Sequence, residues 1–474
     1  MRRSLRSLGY VLALAGLPLA DAAAQGRGMS VERIFRRGEF AGQAMPSVDW
    51  LKDGRSYVEL RADPAGGTSI VRVDIVTGAS SVLADASQLV EGGRRIDVEE
   101  LTLSDDESKA LLFHSSVRVW RTNTRGLYHV YDFATRRLTP IVTSTSETPS
   151  RDTDTASASF LGKQPSFIGR GLASGAADPD LQQFAKFSPD GRMVAYVRAN
   201  DLWVTDIASG QARRLTTDGS DDVINGTTDW VYEEELGLSD AFQWSPDSRR
   251  IAYWRFDQSA VPAFPMVNEL ELYPVVSVLR YPKAGQPNSR VKIGVLDATT
   301  AGSGAQTRWL ATGPDTGNYL ARMAWLGRDS VVVQRLNRRQ NVNDVLVLSA
   351  SSGAGRTMFT DRDSAYVDVN EGPVWLAGER QFLWLSDMSG WRAVHLVERT
   401  GRVTRQVTRP GVDVLGIVGV DEARGSVYVL AAAPDPTQRQ VFRASLDGRR
   451  WERVTTEKGA HSLQFDFTER RLAM

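Results

Sequence analysis

Three consecutive glutamates, Glu233, Glu234 and Glu235, lie in the stretch Asn225 to Gly237, "NGTTDWVYEEELG", and their spacing is the clearest opening for chemistry in this chain. Asp229 suits a helix N-cap, early acidic residues suit the positive end of the helix dipole, and Gly237 suits a left-handed stop. The pattern predicts a helix of about two turns. Successive helical side chains fan out ~100° apart, so two adjacent carboxylates can converge on one small cation. Such crowding is unfavourable unless a cation answers it. Two readings stay open: a solvated acidic face, or recognition of an ammonium group. A peptide's free amino terminus, with a pKa of about 7.7–8.0, offers N–H donors that two carboxylates satisfy with charge-assisted bonds.

Composition removes most other chemistry. The 474 residues contain no cysteine, which excludes a thiol nucleophile, a disulfide framework and Cys-ligated metals. The four histidines, His114, His129, His395 and His461, show no metal-ligand spacing, so neither metal nor cofactor is expected. Lysines and arginines number 57, as do aspartates and glutamates, so nothing draws the chain as a whole toward nucleic acid. Acid-protease chemistry needs two aspartates in a shared buried site, and no such signature is present.

The elements that must position the glutamates are repeated β-structure. One phrase recurs: an aromatic or apolar residue, an Asp/Gly/Ser turn, an alternating strand and a second strand ending in a turn. It begins near Trp50, Leu101, Phe187, Trp244, Ala324, Val374 and Val420, with a last partial copy from Ser462. Period-2 apolar residues bury one strand face and the turns close hairpins. A unit of this length cannot bury both faces alone, which predicts an all-β β-propeller of about eight four-stranded antiparallel blades, the last incomplete. Residues 141–159, rich in Ser, Thr and Asp, are expected to form a mobile insert. Four prolines from Pro262 through Pro282 favour an extended arm.

At the N-terminus, Arg2, Arg3 and Arg6 precede an apolar run from Leu8 to Ala20, with Ala22 and Ala24 at A-x-A spacing. Residues 1–24 read as a signal peptide, and the mature chain, 25–474, as exported to the periplasm or beyond the cell. No segment has the ~18–20 apolar residues of a membrane-spanning helix.

The motif "DWVYEEE", followed by "WSPD" and "VPAFPM…YPVVSVLRYPKAGQPN", resembles the N-terminal β-propeller of the dipeptidyl peptidase IV family of prolyl-oligopeptidase-type serine peptidases. The likeness extends over nearly the whole mature chain. It implies that Glu234 and Glu235 clamp the free amino group of a peptide substrate. It also implies that Arg121, in "VWRTNTRGLYHVYD", assists them from an earlier blade; read alone, Trp120-Arg121 is an ordinary strand pair. Family members continue into an α/β-hydrolase domain with a G-x-S-x-G nucleophile elbow, and these 474 residues contain no such sequence. The chain as given is therefore expected to hold no catalytic residue and to be inactive alone, its hydrolase half missing or separately encoded. Rejoined, it would release Xaa-Pro or Xaa-Ala dipeptides. A homodimer is an open expectation. The alternative is a stand-alone exported propeller that binds peptides or a protein partner without catalysis.

Overall fold

The serine of the recurring turn phrase does the same work in successive repeats. Ser104, Ser188 and Ser245 each donate their Oγ to the aspartate two residues on, Asp106, Asp190 and Asp247, at 2.6 Å. Each Oγ also accepts the backbone N–H five residues ahead, from Lys109, Met193 and Arg250, at 2.9–3.0 Å. Side-chain bonds of this kind replace the ladder bonds lost where a strand reverses.

The structure is a computed structural model describing residues 28–37, 39–41, 48–119, 121–142, 181–270, 272–300, 304–314, 317–466 and 471–473. The predicted signal peptide lies outside these residues, as does the predicted insert 141–159 apart from Ile141 and Val142. The chain divides into two units, 1–47 and 48–474. In the first, a helical turn at Glu32–Arg36 sits beside an Arg33–Glu39 ion pair of 2.7 Å.

The second unit is an all-β propeller of four-stranded antiparallel blades. Blade 1 comprises Asp49–Trp50, Ser56–Ala62, Thr68–Asp74 and Ser80–Ala84. Blade 2 comprises Val98–Leu103, Lys109–Val119, Thr122–Asp132 and Arg137–Pro140, and blade 3 Gln182–Phe187, Met193–Arg198, Asp201–Asp206 and Ala212–Arg214. Blade 4 is built on Phe242–Trp244, Arg250–Asp257, Arg290–Asp297 and Arg308–Trp309. Blade 5 follows with Tyr319–Leu326, Ser330–Leu336, Val342–Ser349 and Gly355–Arg362. Blade 6 runs from Val374–Trp375 to Val403–Gln406, and blade 7 from Val414–Asp421 to Trp451–Arg453. Gln464–Asp466 pairs with Arg471–Ala473 as a two-stranded piece of an eighth.

Alternation explains why the blades stack. On Lys109–Val119, Ala110 and Leu112 pack with Leu51, Val58 and Ile70 of blade 1, whereas Leu111 and Phe113 pack with Val194, Tyr196 and Trp203 of blade 3. Each sheet thus buries both faces, one against each neighbour, and apolar burial of this kind is worth about 25 cal/mol per Å².

Blade 2 has unusually long central strands. Thr122–Asp132 pairs with its own fourth strand through residues 129–132, and through Arg125 and Gly126 with Gln183 and Gln182 of blade 3. Gly126 is required by close approach, since a Cβ there would come within 2.5 Å of the Phe113 ring. The hairpin formed with Lys109–Val119 therefore reaches past the sheet and ends in a two-residue tip containing Arg121.

The proline-rich excursion folds as a separate two-stranded hairpin, Ala263–Asn268 with Val275–Arg280. It exposes Val267, Leu270, Leu272, Tyr273, Val276 and Val278. No helix among the described residues is long and apolar enough to cross a membrane.

Candidate functional site

The first strand of blade 4 is interrupted. Val223–Asn225 pairs with Asp257 to Arg255 and Phe242–Trp244 pairs with Tyr253 to Ile251, both on the same neighbouring strand. Between these pieces the chain is looped out, and the loop carries the helix α1, Trp230–Leu236. Both predicted ends are present. The Asp229 side chain accepts the Tyr232 N–H at 3.0 Å, and Gly237 closes the helix at φ 60°. Asp229 also accepts from Ser289 Oγ at 2.6 Å. Its burial pushes the carboxyl above its ordinary pKa, and these bonds pull in the other direction.

One side of α1 is held by the core. Val231, Tyr232 and Leu236 are buried in the cluster that joins blades 4 and 5. Tyr232 Oη accepts the Leu320 N–H at 2.8 Å, and Arg322 Nη1 donates to the Leu236 carbonyl at 2.9 Å. Trp230 packs on Tyr281, at the base of the exposed hairpin, with ring centroids 4.4 Å apart. With that side occupied, the glutamates are left to face away from the core.

Arg121 meets them from blade 2. Its Nε donates to Glu234 Oε1 at 2.7 Å and Oε2 at 3.0 Å, across 113 residues of sequence. The guanidinium is 77% exposed and the Glu234 side chain 18%. Hydrogen bonding to Glu234, reinforced by its charge, raises the Arg121 pKa. Glu233, half-buried beside this pair, is pushed up to about 7, first by desolvation and then by Glu234, with Arg121 acting against both.

Glu235 is exposed and makes no hydrogen bond or ion pair among the described residues. Its charge is felt by Tyr366, in the segment after blade 5, whose phenol is raised by desolvation first and then by Asp368 and Glu235. The structure thus brings together Arg121 and Glu234, leaves Glu235 exposed, and sets Glu233, which the family resemblance leaves out of the clamp, half-buried beside the pair. Trp120 lies outside the described residues.

An arginine bound edge-on to one carboxylate, with two further carboxylates on the same helical turn, gives a concentrated negative site with an internal counter-charge. It suits a ligand carrying a small, multiply donating cation. Elsewhere, Glu91, His114 and His129 form the one grouping among the described residues that could hold a metal ion. The sequence reading had taken these histidines singly. His461 lies in the loop before the last two-stranded piece, with Nε2 3.1 Å from the Glu457 carbonyl.

Comparison with known proteins adds three findings. Residues 104–473 match the family described as "Dipeptidyl peptidase IV (DPP IV) N-terminal region". Dipeptidyl peptidase 4 of Trichophyton rubrum is 29% identical over 292 residues, 59% of this chain and 37% of the relative. That of Trichophyton tonsurans is 30% identical over 286 residues, 56% of this chain and 35% of the relative. The crystal structure of Porphyromonas gingivalis dipeptidyl peptidase 4 superposes with a TM-score of 0.77 at 26% identity, covering 93% of this chain and 57% of that one. The chain therefore spans little more than a third of these curated relatives and somewhat over half of the solved structure.

Proposed function

This chain belongs to the dipeptidyl peptidase IV N-terminal region family, and from that premise we propose that it is the propeller that gates substrate access and anchors the substrate's amino terminus in an exported serine exopeptidase. The observation that carries the reading is the contact of Arg121 with Glu234, made between the tip of a blade 2 hairpin and a helix looped out of blade 4. A scaffold has no need to spend two strand extensions and a broken strand on one exposed ion pair, since such pairs contribute little to stability. A site for a charged ligand does need them.

In this reading Glu234 and Glu235 accept hydrogen bonds from the ammonium of a peptide with a free N-terminus, and Arg121 holds Glu234 in position. A hydrolase domain joined to this propeller would cleave after the second residue, releasing Xaa-Pro or Xaa-Ala dipeptides. Residues 1–24 would direct export and be removed before Gln25. The apolar hairpin Ala263–Arg280 is the surface proposed for homodimer formation, because its exposed Leu270, Leu272 and Tyr273 lack any cover in one chain.

Calorimetric binding of a Xaa-Pro peptide tests the anchoring role, on this chain and on the chain joined to its hydrolase half, with the N-acetylated peptide as control. Free-amine peptide binds and acetylated peptide does not. Equal binding of the two by the joined enzyme would overturn the proposal.

A further inference from the structure

The interface between blades 1 and 2 holds a second polar site. His114 and His129 lie on the two central strands of blade 2, with His114 opposite Leu127 and Leu112 opposite His129. They are diagonal neighbours, and Ala110, Leu112 and Tyr131, in alternating register with them, face blade 1. Both imidazoles are almost fully buried, at 2% and 3% exposure. His114 Nε2 is 2.9 Å from His129 Nδ1, and His129 Nε2 is 3.2 Å from Glu91 Oε1. His114 Nδ1 in turn lies 3.0 Å from Ser115 Oγ. Glu91 stands on the short hairpin Val90–Glu91 with Arg94–Arg95, which links the two blades, and its side chain is 43% exposed.

We propose that His114, His129 and Glu91 form a binding site for a divalent transition-metal ion of the zinc type, with solvent completing the coordination on the Glu91 side. One donor atom from each residue lies within 4.8 Å of the other two. Tetrahedral ligands on zinc, at bond lengths of about 2.0–2.1 Å, stand ~3.3 Å apart, so the two ring nitrogens at 2.9 Å need open only slightly while the carboxylate closes by ~1–2 Å. The closing can come from the exposed Glu91 side chain. Two imidazoles and a carboxylate are a donor set that zinc accepts, and imidazole also suits copper and nickel. Burial lowers the pKa of both histidines, His129 to about 4. Burial thus favours the neutral imidazole, the form that donates a lone pair to a metal.

Without metal, the same atoms form a hydrogen-bonded chain from Ser115 through both rings to Glu91. Metal binding through His114 Nε2 and His129 Nδ1 needs a tautomer shift at His114, whose Nδ1–H then donates to Ser115 Oγ, while His129 keeps its Nε2–H and the Glu91 carboxylate turns from it to the ion, so neither ring has to lose a net proton. An ion here would tie the linking hairpin to the blade 2 strands that end at Arg121, bracing that extension at its root.

The test uses tag-free protein, so that no added histidines compete. Titration of the full chain with Zn²⁺ is expected to show one ion bound per chain, and Co²⁺ to give the visible ligand-field bands of a tetrahedral site. Glu91→Gln, a surface change that leaves folding intact, and His129→Gln should each weaken Zn²⁺ binding by at least ~10–100-fold, a loss that removal of even an outer partner can bring. Zn²⁺ should raise the melting temperature of the wild type and not of these variants. His461→Gln should bind as the wild type does. Absence of stoichiometric binding, or equal binding by wild type and Glu91→Gln, would overturn the proposal and leave the pair as a structural hydrogen-bonded relay.

Discussion

Blades 4 and 5 are neighbours, share one hydrophobic cluster and have central strands of seven or eight residues, yet only one of them carries the candidate site. Blade 5 opens with the eight-residue strand Tyr319–Leu326, paired along its length apart from one bulge. Blade 4 opens with two three-residue pieces separated by α1. The lost ladder is replaced locally: Gly226 N–H donates to the Trp254 carbonyl at 3.0 Å, and Trp254 N–H to the Ala241 carbonyl at 3.0 Å. Tyr232 then uses its hydroxyl to bond blade 5's own first strand. The difference teaches that a propeller can interrupt a strand when the excursion returns its apolar side to the interface the strand would have covered.

The largest effect should come from cutting that return. Tyr232→Ala removes a buried ring and the partner of Leu320 N–H, and should cost about 3–5 kcal/mol in denaturant unfolding, the range for large aromatic truncations. A loss below ~1 kcal/mol would mean that α1 is an appendage and the two blades differ less than argued.

Next in size is the contact that distinguishes blade 4 functionally. Glu234→Ala should weaken binding of a free-amine dipeptide by about 10–100-fold, one charge-assisted contact, with the melting temperature little changed. Arg121→Ala should act in the same direction. If either variant unfolded the protein instead, the pair would belong to the scaffold and not to the site.

A smaller effect should be shared by regular and interrupted blades alike. Ser188→Ala in blade 3 and Ser245→Ala in blade 4 each remove the same buried hydroxyl bridge and should each cost about 1 kcal/mol by chemical denaturation. Unequal losses would show that interrupting the strand transfers load to the turn.

The smallest effect is on pH dependence. Glu233 has a folded pKa of about 7 against an ordinary 4.5, so between these values the folded chain binds more protons than the unfolded one. Its contribution to stability is full below about pH 4.5 and is lost as pH rises through about 7. Glu233→Gln should flatten that part of the stability curve, measured by urea unfolding between about pH 5 and 8. No equivalent glutamate sits on the first strand of blade 5, so the slope is a signature of the excursion. A wild-type curve already flat in this window would contradict the half-buried placement of Glu233.

Much of this architecture was legible before any coordinates. Ser188, Ser245 and their aspartates lie in the repeated phrase that marked blade starts, because a turn is made by residues within five positions of each other. Asp229 and Gly237 bounded α1 for the same reason. The repeat near Trp244 did not reveal that its strand begins earlier, at Val223, because three-residue pieces are too short to show a period. That His114 and His129 meet was hidden for a related reason. Their meeting depends on how the long hairpin pairs, with Leu112 opposite His129 and His114 opposite Leu127, which brings together rings 15 residues apart.

By itself, then, the sequence determined whatever is settled within one turn or one strand of a residue: the alternation that buries both faces of each blade, the turns that end its strands, and both caps of the glutamate helix. Tertiary structure alone decided which charges face each other. Glu233, Glu234 and Glu235 are equivalent as letters. Arg121 arriving from 113 residues away, and Tyr232 anchored to Leu320, make one of them paired, one half-buried with a raised pKa and one open to solvent. Desolvation and Coulomb energy depend on distance through space, and chain folding, not chain order, sets that distance.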